Sequence, residues 1–134
     1  MTAILGSGKY KYRVAVGWGR LPDGWEWGII PAVACDSQDR VFVGSRGDHP
    51  LVVFDREGNF LASWGEAVLQ GAHGLYVDSD DNVYCTVHDA HCVYKFDCDG
   101  DLVMTLGTPG ELGEPGEPFV KPTATAIASN GDIF

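Results

Sequence analysis

This chain is short of positive charge. Nine Lys and Arg stand against nineteen Asp and Glu, for a formal net charge of −10. A phosphate backbone is bound through a Lys/Arg footprint, so a nucleic-acid partner is excluded as an expectation. An anionic membrane surface is disfavoured for the same reason. No run approaches the roughly 20 apolar residues of a membrane-spanning helix, and residues 1–12 lack the apolar core of a signal peptide. Cysteines number four and none forms a C-x-x-C pair, which leaves the pairing open. Read as free buried thiols, they favour a reducing compartment; localisation is otherwise open, with the cytoplasm slightly favoured. A cationic ligand, a metal ion or a neutral small molecule stays compatible with the charge.

What the chain does have is a repeat. Asp36-Ser37-Gln38-Asp39-Arg40-Val41-Phe42 returns 42 residues later as Asp78-Ser79-Asp80-Asp81-Asn82-Val83-Tyr84. Phe54-Asp55-Arg56-Glu57-Gly58-Asn59-Phe60-Leu61 returns at the same offset as Phe96-Asp97-Cys98-Asp99-Gly100-Asp101-Leu102-Val103. A period near 40 residues, made of β-branched and aromatic runs between Asp/Asn/Gly turns, predicts four-stranded propeller blades. Eighteen glycines and seven prolines suit many tight turns.

The expected fold is therefore all-β, an incomplete β-propeller of about two and a half to three blades where about four to eight close a propeller. Residues 1–29 form an N-terminal segment, in which Val14-Ala15-Val16-Gly17-Trp18-Gly19 resembles the outer strand ending Trp64-Gly65. Residues 30–65 are the first blade, 66–107 the second and 108–118 a Gly/Pro/Glu-rich insertion loop. Residues 119–134 start a third blade that stops inside a strand. An open arc exposes apolar faces and strand edges, so further blades are expected from more of the chain or from other chains.

Propeller chemistry is expected at the mouth of the central channel. Two polar strings fall there, Gly44-Ser45-Arg46-Gly47-Asp48-His49 and Ala72-His73-Gly74-Leu75. Together with Phe119-Val120-Lys121-Pro122-Thr123 they resemble, in order and spacing from about Ile30 to Phe134, the N-terminal part of the peptidyl-α-hydroxyglycine α-amidating lyase family, six-bladed propellers of the NHL-repeat type. The resemblance implies a lyase that cleaves the N–C bond of a carbinolamide to an amide and glyoxylate, with zinc and calcium as cofactors. It makes Arg46 the catalytic arginine facing the substrate and His73 one of three zinc histidines. Val33 and Leu75 become calcium ligands through their backbone carbonyls. The other two histidines and a catalytic tyrosine fall outside these residues, so the residues present are expected to be inactive alone. Val120, Ala124 and Val87 depart from the family pattern, where a cysteine, an Asp and an acidic residue stand.

Plainer roles compete. Arg46 could pair with Asp48 on a blade surface, and His73 could be a satisfied structural group. His88 and His91 suit hydrogen bonding at a blade junction better than a metal pair, and His49 suits a loop position. The acidic turns lack a Glu-terminated twelve-residue calcium loop. Trp25 and Trp27 could line a ligand mouth or cap a blade edge. The whole could also be a non-catalytic NHL-repeat scaffold that binds a protein or ligand, or a hydrolase or lactonase with another metal set.

Overall fold

The repeated Asp residues shape the backbone in pairs. Asp36 Oδ1 accepts from the amides of Gln38 and Arg40, and Asp78 Oδ1 from those of Asp80 and Asn82. Asp55 accepts from the amide of Asn59, and Asp97 from those of Asp99 and Asp101. Each carboxylate thus closes its own hairpin turn. Asp39 and Asp81, both at φ 62°, supply the left-handed residue of equivalent turns. These carboxylates are spent on backbone amides, which accounts for the turns without calcium.

The computed structural model describes residues 3–114 and 119–134. These described residues are all-β, with ten strands: β1 (Ile4–Ser7), β2 (Tyr10–Arg13), β3 (Ala32–Cys35), β4 (Val41–Gly44), β5 (Leu51–Phe54), β6 (Phe60–Trp64), β7 (Ala72–Val77), β8 (Val83–Val87), β9 (Cys92–Phe96) and β10 (Leu102–Leu106). β3 to β6 form one antiparallel meander and β7 to β10 a second. The two meanders pack face to face, with the innermost strands β3 and β7 side by side, as neighbouring propeller blades do.

One core cluster fills the gap between them. Phe42, Leu51 and Val53 from the first sheet meet Leu69, Val83, Cys85, Val87, Tyr94 and Phe96 around the second. The opposite face of the first sheet, Val43, Val52 and Phe54, is covered by Leu21 and Phe60 and by the rings of Trp18 and Trp27. Burial on both faces explains why β5 reads as an unbroken apolar run and does not alternate. Full burial of each such side chain stabilises the fold by about 1.5–3 kcal/mol.

Tryptophans stitch one unit to the next. Trp64, at the end of β6, lies over Gly100 in the last turn of the second blade; a Cβ there would sit 2.5 Å from its indole nitrogen. Trp18 lies over Gly58 in the matching turn of the first blade and donates its indole N–H to the Arg56 carbonyl at 3.0 Å. Residues 14–19 are nevertheless not the outer strand expected there. Gly17 and Gly19 take φ of 77° and 76°, Trp18 N bonds back to the Ala15 carbonyl and Arg20 N bonds to Gly58. The Val14 amide goes to the Ala3 carbonyl beside the preceding hairpin and the Trp18 amide into a turn, so the segment lays down no strand of a blade. The antiparallel hairpin β1–β2 precedes it, exposed along its whole length.

Residues 119–134 lie along the free side of the second blade. The Tyr76 hydroxyl donates to the Ile127 carbonyl at 3.1 Å, and Ile127 bridges to Ile133 across a turn. Of the insertion loop expected over 108–118, residues 115–118 lie outside the described residues.

All four cysteines are free, but they are not all buried. Cys35 is exposed, Cys98 is half-buried, and Cys85 and Cys92 are buried. Burial pushes the Cys85 thiol up to about 12, which suppresses the nucleophilic thiolate at neutral pH. A disulfide reagent at pH 8 should therefore label Cys35 first and Cys98 more slowly. Cys85 and Cys92 should react only once denaturant opens the core. Rapid labelling of Cys85 in the folded protein would contradict this packing.

Candidate functional site

The site is built where β7 begins. Ala72 pairs with Val87 and Gly74 with Thr86, so His73 is the extra residue of a β-bulge. Such a bulge bends the strand and re-aims the side chain it carries. Gly74 beside it has no room for a Cβ, which would lie 2.6 Å from the Thr123 carbonyl oxygen. That close approach lets the same carbonyl meet His73 Nδ1 at 2.9 Å. An imidazole whose Nδ1 donates to a carbonyl holds its Nε2 lone pair free, the arrangement in which histidine ligates metals.

Arg46 reaches this point from the first blade. Its amide bonds to the Ile29 carbonyl at 2.8 Å, and the preceding Ser45, fully buried, accepts from the Gly28 amide through Oγ at 3.2 Å. The Arg46 side chain extends to donate Nε–H to the Ala72 carbonyl at 3.2 Å. The guanidinium is thus fixed one residue from His73, and no ion pair between it and Asp48 forms among the described residues. A cleft of about 440 Å³ opens beside it, lined by Arg46, Asp48, Glu66 and Gln70. A second of about 290 Å³ shares Gly47 and Asp48 and is walled by Trp25, Trp27 and His49. Trp25 stacks on His49 and meets Phe60 edge-on, so the tryptophan pair both lines a cleft and covers a blade. His73 lies outside the lining of either cleft; the Arg46 side chain is the connection.

The two other histidines part company. His91 is buried at φ 57° and accepts from the Lys121 amide through Nδ1 at 3.1 Å, a junction role. His88, the residue after Val87, stands at the same end of the sheet as His73, with ring centroids 5.8 Å apart. Its Nδ1 meets Asp89 Oδ1 at 2.8 Å. That hydrogen bond, followed by the charges of His88, Lys121 and Arg46, holds the Asp89 carboxyl below the usual range. Arg46, His73, His88, Asp89 and Lys121 therefore share one end of the second blade. The place of His88 was available from the hairpin register, since a residue one step beyond Val87 must return beside the start of β7.

Val33 and Leu75 lie on β3 and β7, the edge strands of the two sheets, and edge strands carry backbone carbonyls without a ladder partner. The Leu75 side chain packs over Gly44. No group of three or more His, Cys, Asp or Glu that could hold a metal ion occurs among the described residues.

No family model matches the chain. Human NHL repeat-containing protein 3 is 35% identical over 138 residues, covering 94% of this chain and 39% of that protein. Peptidyl-alpha-hydroxyglycine alpha-amidating lyase 1 of Drosophila melanogaster is 40% identical over 80 residues, covering 58% of this chain and 15% of that protein. The chain therefore spans well under half the length of either relative. Among solved structures, virginiamycin B lyase from Staphylococcus aureus superposes with a TM-score of 0.61 at 15% identity, over 78% of this chain and 33% of that one. That likeness supports the propeller fold. The homologues of this chain thus include NHL repeat-containing protein 3 and the peptidyl-α-hydroxyglycine α-amidating lyases, each matched over part of its length.

Proposed function

We propose that these blades belong to a lyase that cleaves the C–N bond of a carbinolamide, a peptide-like compound ending in α-hydroxyglycine, to an amide and glyoxylate. One observation carries the reading. Arg46 is anchored on the Ala72 carbonyl beside a bulged His73 whose Nδ1 is already bonded. An anchored cation is therefore held on the residue next to a metal-competent imidazole, and amidating lyases stand among the homologues.

In this reading Arg46 binds the substrate carboxylate and stabilises negative charge that develops as the C–N bond breaks. Its anchoring matters because a preorganised donor needs no reorganisation during the reaction. His73 fits as one member of a zinc donor set, its Nε2 free and its ring held by Thr123. Zinc sites take three or four protein ligands, so further ligands must come from outside these residues. Bound zinc would polarise an oxygen of the substrate. The carbonyls of Val33 and Leu75 would hold a structural calcium, which takes six to eight oxygen ligands.

The test is product formation. The complete propeller, these blades together with those that close it, should release glyoxylate and amidated peptide in equal amounts from a peptide ending in α-hydroxyglycine, faster than the uncatalysed breakdown. A rate equal to the uncatalysed one in metal-replete protein would leave the propeller as a binding scaffold.

A further inference from the structure

The bulge that turns His73 outward leaves it next to a second imidazole. His73 is fixed through Nδ1 on the Thr123 carbonyl, and His88 through Nδ1 on the Asp89 carboxylate. Both rings therefore keep Nε2 for another partner, and both are oriented by an acceptor behind them, the support that metal-binding histidines use. A Zn–N bond of about 2.0–2.1 Å places the centroids of two imidazoles on one tetrahedral ion about 5 Å apart. The observed centroid separation is 5.8 Å, with planes 28° apart.

We propose that His73 and His88 together chelate one divalent cation of zinc type, His88 adding a ligand from the β8–β9 connection of the same blade. This rests on His73 being a metal ligand, as in the function proposed above. Asp89 completes the device by setting the His88 tautomer and raising the basicity of its ligating nitrogen. Its carboxylate also offsets the positive charge of Arg46 and Lys121, which act on the same spot and would otherwise oppose a dication. Two ligands from one hairpin form a chelate before any more distant ligand is recruited. The chain should therefore capture zinc without help from other blades, and bind it more tightly when they are present.

Equilibrium dialysis against zinc, with cobalt(II) absorption as a second readout, tests this on the full chain. His88→Ala should weaken zinc binding by about tenfold or more and move the visible cobalt bands, and Asp89→Asn should weaken it by about tenfold. His73→Ala should weaken it at least as much as His88→Ala. Zinc affinity and cobalt spectrum unchanged in His88→Ala, with loss in His73→Ala, would overturn the chelate and leave the proposed lyase site standing. No loss in His73→Ala would remove the zinc assignment of that site as well. Should His88→Ala fail to fold by circular dichroism, His88→Gln in the folded protein decides, since its amide is a poor zinc ligand; wild-type affinity in that variant would overturn the chelate.

Discussion

Gly100→Ala should destabilise the protein by about 3 kcal/mol, and Gly110→Ala by only about 1 kcal/mol. Both glycines sit at positive φ, 94° and 80°, so both substitutions incur left-handed backbone strain. They differ in what a methyl group would meet. At Gly110 nothing lies within 4 Å, whereas at Gly100 the Trp64 indole is in the way, its nitrogen 2.5 Å from the new Cβ. Trp64 cannot step aside freely, because its ring also packs against Phe42 and Phe96, with centroids 5.5 and 6.4 Å away. Displacing it would open the core between the blades. Urea unfolding of the two variants measures the difference, which is a large share of the 5–15 kcal/mol typical of a domain. Equal losses would mean that the tryptophan cap does not hold the blades together.

The second large effect concerns activity. In the complete propeller with the proposed lyase activity, Arg46→Ala should lower kcat/KM for glyoxylate release by about 10²–10³-fold, the scale of removing one preorganised donor from a site of developing charge. Arg46→Lys should recover only part of it, because an ammonium keeps the charge but not the planar fork that matches a carboxylate. Stability should change little, since the side chain is exposed and gives one hydrogen bond to Ala72. Steady-state kinetics on a folded variant separates the two effects. Wild-type kcat/KM in Arg46→Ala would remove Arg46 from the reaction.

Why some of this was legible in the sequence and some not follows from the physics of each signal. The blades were legible because each turn needs a carboxylate at a fixed position, so Asp36 and Asp78, then Asp55 and Asp97, recur with the strands between them. The likeness of Trp18-Gly19 to Trp64-Gly65 caught a real equivalence, since both tryptophans cap a glycine turn of the next blade. It did not make residues 14–19 a strand, because a ladder needs a neighbour and repeated residues do not supply one. The β1–β2 hairpin went unread although Tyr10-Lys11-Tyr12-Arg13 alternates, because Gly6 interrupts its first arm and neither face is buried. The string Ala72-His73-Gly74 opens β7. The bulge that aims His73 left no trace in composition, since a one-residue slip in a ladder is a property of pairing. The approach of His88 is equally a property of register.

An anomalous-difference map at the zinc edge, from crystals grown with zinc, tests most directly whether two adjacent blades bring Arg46 and a metal-binding His73 to one point. The expected result is a single strong peak at His73 Nε2, on the side where the Arg46 guanidinium lies. Zinc found only on the acidic turns, or no peak beside His73, would contradict it.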